Sequence, residues 1–374
     1  MTKALLAIAL LCAGAEPSAR SAEHQARLGP FRFDERDLTQ SLEWSLRFSG
    51  GGKGLVFVRM SEDGNLHIHR WIVASGRPSE MPVRNPERYE YDVSNIDWPA
   101  DLLSLSGDGG LAAFRGDRGT IFVCDTVSGK LLHRFGTKTG CPLLAPDGKV
   151  IAHTGPGVGP AFEVIEVATG KVLGAIPTVG ADDGCFSADH RRITVCDSPT
   201  GAAVWEMGQP FKKLISVKPP DPWRCARGIL SPDGRLIAAQ VYRLGEVDHL
   251  STPVYVWEVA TGKPVWHEDR EGLGGSLRFS PDSQRLAGAC ASGLSVWNTK
   301  TGAALIRIRR PQNPTKRVKT DKGQLADQVP LLPPWDRRLG PMAFAPDSKT
   351  LATVGADGFI RLWNTDTGAE LTGK

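Results

Sequence analysis

The chain of 374 residues is 41% hydrophobic and 23% charged, and it carries a formal net charge of +4. This balance excludes an intrinsically disordered or collagen-like chain, and the small net charge does not predict a nucleic-acid partner. The 42 glycines and 27 prolines show no collagen-like period, which favours short strands joined by tight turns.

The N-terminal residues have the order of a secretory signal peptide. One lysine is followed by an apolar stretch and by a small-x-small site at residues 13–15. We expect residues 1–22 to be removed on export to the periplasm or the extracellular space. The alternative is a retained apolar tail on a cytoplasmic protein. No other apolar run approaches the roughly 20 residues that a membrane span needs, so we predict no transmembrane segment.

The rest of the chain repeats one pattern seven times. Each copy has an apolar pair, a turn similar to Ser-Pro-Asp-Gly, an apolar run, and a strand that usually bears Trp and is followed by a Gly turn. The first copy, which begins at residues 46–57, is degenerate. The turns of the other six contain Asp108, Asp147, Asp189, Asp233, Asp282 and Asp347. A repeat of this kind predicts one supersecondary unit per copy.

The pattern within each copy predicts four short strands. Runs of Val, Ile, Leu and Trp are only a few residues long and are separated by turns, which is typical of an antiparallel meander. Such a unit buries its faces by stacking on its neighbours, and a ring leaves no exposed end. We therefore predict an all-β fold, a seven-bladed β-propeller within residues 23–374. The chain ends where the last copy's fourth strand is due, so we expect residues 28–33 to supply that strand.

Several of these residues resemble a known family. Residues 231–234 read Ser-Pro-Asp-Gly, residues 256–258 read Val-Trp-Glu before a Thr-Gly-Lys turn, and the last copy has Leu-Trp-Asn at 362–364. The chain resembles WD-repeat (G-protein β-like) propellers, in the diverged form common in bacterial proteins. Their Gly-His dipeptide is absent, and Cys124 and Ile165 replace the Trp in two copies. The resemblance therefore implies the fold, without the family's buried Asp-His-Ser/Thr-Trp network in every copy.

The copies differ mainly in long or unusual segments, which the predicted strand order places on one face of the disc. These segments are residues 77–99, 154–160, 218–227, 243–252 and 311–341. Variable loops on a rigid scaffold are where binding concentrates, and Tyr, Trp and Arg dominate interface energies. We therefore predict a partner-binding face that uses the aromatic residues Tyr89, Tyr91, Trp98, Trp223, Tyr242 and Trp335. In the alternative, these side chains fold back onto the disc.

The longest insertion is basic. Residues 307–338 contain nine Lys or Arg against three Asp, and Lys316, Arg317 and Lys319 are the candidate contacts. Such a segment can attract an acidic protein, a polyanion or an anionic surface. A solvated loop without a partner is the alternative, because charge and proline oppose packing.

No motif predicts catalysis, a cofactor or a metal. The sequence has no Gly-x-Ser-x-Gly elbow, no His-Glu-x-x-His and no phosphate-binding Gly-rich loop, and His67 and His69 have no apparent third ligand. We predict a monomeric, non-catalytic scaffold for a protein or peptide. The alternatives are a polyanion binder and an exported oxidoreductase, since residues 256–266 resemble the blade-joining Trp motif of quinoprotein dehydrogenases.

Six cysteines follow the N-terminal segment. Cys185 and Cys196 flank one predicted hairpin turn and are the best candidates for a disulfide. In the alternative, all six are small buried core residues.

Overall fold

The computed structural model describes seventeen stretches of the chain. They are residues 31–32, 41–61, 66–75, 83–84, 103–115, 120–136, 142–154, 162–177, 181–197, 201–243, 253–269, 277–290, 293–309, 316–319, 325–328, 342–354 and 359–372. These residues form thirty strands and one 3-10 turn at Gly50–Gly52.

The strands are short and are numbered in chain order. They are β1 (Phe31–Arg32), β2 (Ser41–Ser49), β3 (Gly54–Ser61), β4 (Leu66–Ile72), β5 (Val83–Arg84), β6 (Leu103–Leu105), β7 (Leu111–Arg115), β8 (Thr120–Asp125), β9 (Leu131–Gly136), β10 (Pro142–Leu144), β11 (Val150–Thr154), β12 (Phe162–Glu166), β13 (Val172–Ile176), β14 (Ala181–Phe186), β15 (Arg192–Asp197), β16 (Gly201–Glu206), β17 (Lys212–Val217), β18 (Trp223–Leu230), β19 (Leu236–Arg243), β20 (Val254–Glu258), β21 (Pro264–Glu268), β22 (Leu277–Phe279), β23 (Arg285–Cys290), β24 (Gly293–Asn298), β25 (Ala304–Arg309), β26 (Lys316–Lys319), β27 (Leu325–Gln328), β28 (Met342–Phe344), β29 (Thr350–Val354) and β30 (Phe359–Asn364).

Seven four-stranded antiparallel sheets confirm the predicted seven-bladed propeller. Blades 1 to 6 are β2–β5, β6–β9, β10–β13, β14–β17, β18–β21 and β22–β25, and blade 7 is β28, β29 and β30 with β1. The strands β26 and β27 form a separate two-stranded sheet in the link between blades 6 and 7.

The predicted closure by the N-terminal strand is confirmed. In β1, Phe31 pairs with Ile360 and Arg32 with Phe359 on the outer edge of β30. The C-terminal segment reaches the same edge, because Glu370 forms a bridge with Trp363 and the Leu371 N–H donates to the Leu362 carbonyl. The fourth strand of blade 7 is therefore assembled from both ends of the chain.

The hydrophobic core lies between the blades. The described residues contain seven buried clusters, and each joins two adjacent blades around the ring. The cluster of Leu46, Phe57 and Leu362 joins blade 1 to blade 7 and completes the circle. Stacking of neighbours thus buries the faces that no single blade can cover.

One face of the disc, here called the turn face, carries the turns between strands 1 and 2 and between strands 3 and 4 of each blade. In all seven blades a backbone N–H at the end of strand 3 donates to a carbonyl of the first turn. The pairs are Val73 to Lys53, Thr126 to Gly110, Val167 to Lys149, Met207 to Arg191, Val259 to Arg235, Thr299 to Gln284 and Thr365 to Lys349. The opposite face, here called the loop face, carries the hairpins between strands 2 and 3 and the links between blades.

In four blades a Ser–Asp pair closes the first turn locally. The hydroxyls of Ser106, Ser187, Ser231 and Ser280 donate to the Asp two residues later at 2.5–2.6 Å. The turn then needs a positive φ, which Gly109, Gly148 and Gly234 adopt easily. His190, Ser283 and Ser348 adopt φ of 58–61° in the other turns.

The non-glycine residues at this position connect neighbouring blades. Pro232 and Pro281 have no N–H to donate, and in the following blade Ser283 and Ser348 accept hydrogen bonds from the N–H groups of Asp233 and Asp282 at 3.1 and 3.0 Å. His190 likewise lies 3.6 Å from the Asp147 carboxylate of the preceding blade.

Where no proline is present, the backbone itself makes the connection. The N–H groups of Gly107 and Ala188 donate to the carbonyls of Pro146 and Pro232 in the next blade, at 2.8 and 3.3 Å. In these two cases the next blade has Gly148 or Gly234 at the positive-φ position. The hydroxyls of Ser283 and Ser348 thus follow Pro232 and Pro281, whereas Pro146 is followed by His190 in the next blade.

Cys124, Cys185, Cys196 and Cys225, the four cysteines whose side chains are described, form no disulfide. Cys185 lies opposite Thr194, and Cys196 lies opposite Asp183, so the two do not face each other as the hairpin prediction required. Cys124, Cys196 and Cys225 are buried, whereas Cys185 is half-buried. Burial raises the pKa of the Cys225 thiol to about 12. Cys12 and Cys141 lie outside the described residues.

Candidate partner-binding face

The structure describes only part of the predicted binding face. Tyr89, Tyr91, Trp98 and Trp335 lie outside the described residues. Lys316, Arg317 and Lys319 lie on β26, where their Cα partners on β27 are Gln328, Asp327 and Leu325. Trp223 and Tyr242 are described with their surroundings, at the loop-face end of the first hairpin of blade 5.

The strands overlap all five predicted loop segments, including Thr154 at the end of β11 and the β26–β27 pair within residues 311–341. Val83–Arg84 is the fourth strand of blade 1, so residues 77–99 are not one continuous loop. Half of the predicted segment 218–227 is strand, because β18 starts at Trp223. The predicted segment 243–252 starts one residue too early, because β19 includes Arg243. The reason is the length of the β18–β19 hairpin, whose pairing continues out to Trp223 and Arg243.

The open end of this hairpin, on the loop face, combines aromatic and basic residues. Trp223 pairs with Arg243, and Arg224 pairs with Tyr242. Trp223 is half-buried and packs against the core cluster between blades 4 and 5, which contains Cys225 and Val241. Its ring is therefore anchored on the disc, as in the second interpretation of the aromatic residues, and Tyr242 is half-buried as well.

The link between blades 4 and 5 holds a cluster of three charged side chains. Arg224 Nη1 donates to Asp221 Oδ1 at 2.8 Å, and Lys218 Nζ lies 3.5 Å from the same oxygen. The Trp223 N–H donates to the Pro220 carbonyl at 2.9 Å and closes the turn. The Arg224 hydrogen bond, followed by the charge of Lys218, lowers the pKa of the Asp221 carboxyl. This cluster was not predicted from the sequence, although the run Lys-Pro-Pro-Asp-Pro at 218–222 marks a built turn.

A family model matches part of blade 7. The model described as WD domain, G-beta repeat, matches residues 342–364, which extend from β28 to β30. That match falls on one blade of a ring of seven similar blades. The chain is a WD-repeat propeller. No curated protein matches it.

In this WD-repeat propeller, blade 7 retains a tryptophan hydrogen bond. Trp363 Nε1 donates to Thr353 Oγ1 at 2.8 Å. In blade 6, Gly288 occupies the position of Thr353, and a Cβ there would lie 2.7 Å from the ring of Trp297. The buried Nε1 of Trp297 has no hydrogen-bond partner in the described part of the chain. The blades have thus diverged in the polar contacts of the Trp while keeping its packing.

The outer rim of the propeller at blades 5 and 6 carries further polar contacts close to the loop face. His267 stacks on Tyr255 with ring centroids 5.0 Å apart and lies 3.3 Å from the Asp269 carboxylate. Burial, and then the charge of Asp269, raise the pKa of Tyr255. Arg307 of blade 6 lies 3.4 Å from Glu268 of blade 5 and joins the two blades at this edge.

The described residues contain no group of three or more His, Cys, Asp or Glu that could hold a metal ion. His69, one of the two histidines considered as ligands, stacks on Trp71 with centroids 5.8 Å apart. Trp266, in the segment that resembles the quinoprotein motif, donates from Nε1 to the Thr299 carbonyl of the next blade at 2.8 Å. No helix in the described stretches has the length and apolar character needed to cross a membrane.

Proposed function

We propose that this WD-repeat propeller is a non-catalytic interaction scaffold that binds a protein or peptide on its loop face. WD-repeat propellers generally act as protein-interaction scaffolds, which supports the class of function. The choice of face has separate support from the difference between the two faces.

That difference is the observation that carries the proposal. On the turn face, one backbone hydrogen bond ties the two turns of every blade, from Val73–Lys53 in blade 1 to Thr365–Lys349 in blade 7. Its turns are short and alike, so they offer little variation for recognising one partner. The loop face carries the long connections and the open end of the β18–β19 hairpin, where Trp223, Arg224, Tyr242 and Arg243 are of the residue types that dominate interface energies.

A pull-down from the native host tests the choice of face. One variant shortens the connections within residues 85–99 and 311–341, and a matched variant carries Lys149→Glu and Arg235→Glu on the turn face. We expect the loop variant to lose the recovered partner and the turn variant to keep it. Recovery by the loop variant equal to that of the wild type, with unchanged melting temperatures, would place the binding site on the turn face or in the central channel.

We further propose that the protein is exported. The support is the order of residues 1–15, with a lysine, an apolar stretch and a small-x-small site. The intact mass of the protein from the extracellular or periplasmic fraction tests this, and a cytoplasmic protein of full-length mass would refute it.

A further inference from the structure

We infer that the loop face takes an acidic peptide segment at the link between blades 4 and 5, where Lys218, Arg224 and Arg243 receive its carboxylates. This inference rests on the proposed scaffold function and specifies the chemistry of the partner. The surface is called the blade 5 tip and consists of Lys218, Asp221, Trp223, Arg224, Tyr242 and Arg243.

The blade 5 tip has more positive than negative charge. The side chains of Lys218 and Arg224 are 50% and 21% exposed, and Arg243 is exposed as well. Asp221 is the one carboxylate among the six residues of the tip, and it contacts two of the three cations, Lys218 and Arg224. An extended segment with several carboxylates complements this surplus, and a basic or neutral segment does not.

The cations are held in place before any partner arrives. Arg224 Nη1 donates both to Asp221 Oδ1 and to the Trp223 carbonyl, at 2.8 and 2.9 Å. Its position in β18, opposite Tyr242, fixes the backbone from which the side chain extends. A guanidinium positioned in this way loses less conformational entropy when it binds a carboxylate.

Asp221 shows which chemistry the pair of cations accepts. Its carboxylate is 72% exposed and contacts both Lys218 and Arg224. The lowered pKa of Asp221 has the same cause, because the two cations favour the ionised carboxyl. An incoming carboxylate makes the same contacts by sharing or displacing Asp221, which acts as an internal competitor.

The aromatic residues give the site a rigid base. Trp223 packs against the core between blades 4 and 5, and Tyr242 is half-buried beside it. Rigid aromatic residues next to Arg are typical of the energetically dominant part of an interface. Three cations make a short patch rather than a track along a nucleic-acid backbone, so the observations favour a peptide.

Fluorescence anisotropy with a labelled deca-glutamate peptide at low ionic strength tests the inference on the full chain. The double variant Lys218→Gln and Arg224→Gln should weaken binding about tenfold, since each exposed charge pair contributes up to about 1 kcal/mol. Asp221→Asn should tighten binding about threefold, because it removes the internal competitor. A gain in affinity with an unchanged melting temperature is the opposite of what loss of the folded site would give, so this variant separates the inference from a loss of structure.

The turn face supplies a matched control. Lys149 and Arg235 are also exposed, but each lies two residues after a turn carboxylate, Asp147 or Asp233, that offsets its charge. Lys149→Gln with Arg235→Gln removes the same net charge and should leave deca-glutamate binding within about twofold of wild type.

Three results with the probes would overturn the inference. The first is absence of deca-glutamate binding to the wild type at about 1 mM, and the second is equal weakening in the control pair. The third is a single-stranded oligonucleotide of the same charge that binds as tightly as the peptide and depends equally on Lys218 and Arg224. Partner loss in the loop-shortened variant with unchanged deca-glutamate binding in Lys218→Gln, Arg224→Gln would overturn this inference alone. Partner recovery independent of the loop face would instead refute the scaffold proposal.

Discussion

The contacts between neighbouring turns predict an unusual order of stability at Ser283. Its hydroxyl accepts the N–H of Asp233 from the preceding blade at 3.1 Å, and its backbone has a φ of 61°. Ser283→Ala removes the acceptor and keeps a Cβ in the left-handed region. Ser283→Gly removes the same acceptor but also relieves the steric cost of that region.

The two effects have similar magnitudes. A hydrogen bond of this kind contributes about 1 kcal/mol to the free energy of unfolding. Glycine at a positive φ recovers about 1 kcal/mol relative to alanine. We therefore expect Ser283→Ala to be about 1 kcal/mol less stable than wild type and Ser283→Gly to be close to wild type.

Urea unfolding followed by tryptophan fluorescence measures this, with the shift in midpoint compared at an unchanged m value. Ser348 offers an independent repeat, since it accepts the Asp282 N–H at 3.0 Å with a φ of 60°. A glycine variant as unstable as the alanine variant would refute the backbone argument. Two variants indistinguishable from wild type would show that the contact between blades contributes nothing.

Three further predictions address the core and the closure of the ring. A double-mutant cycle of Trp363→Phe with Thr353→Val should give a coupling energy of about 1 kcal/mol for the hydrogen bond in blade 7, and additive unfolding energies would contradict it. The Cys225 thiol, with its pKa raised to about 12, should resist iodoacetamide at pH 8 in the folded protein and react in urea, as peptide mass spectrometry can show. Deleting residues 24–36 removes β1 and its pairs with blade 7, so the melting temperature should fall, and an unchanged value would show that β1 does not hold the ring closed.

The ring could be predicted from the sequence because its information is local and repeated. The Ser-Pro-Asp-Gly turn at 231–234 and its relatives mark the same point in each blade, so one correct interpretation applies to every copy. The N-terminal closing strand followed from counting strands at the chain end. The sequence did not predict that Glu370 and Leu371 also pair with β30, because a bridge of two residues has no periodic pattern.

The candidate site was harder to predict than the fold. Trp223 was singled out by residue type, but its packing on the core depends on how far β18 pairs with β19 within blade 5 and on the contact between blades 4 and 5, and neither is a local signal. The cluster of Lys218, Asp221 and Arg224 forms because a turn brings together residues of a link and a strand. Charge and proline content reveal such a segment, and only the fold shows which charges meet.

Hydrogen–deuterium exchange of the full chain, with and without the partner recovered in the pull-down, tests binding at the loop face most directly. We expect the partner to slow exchange in peptides that cover residues 218–224 and 240–243. Peptides that cover the turns at residues 106–110, 187–191 and 231–235 should exchange at unchanged rates. Slowed exchange confined to those turns would contradict the account and move the binding site to the turn face.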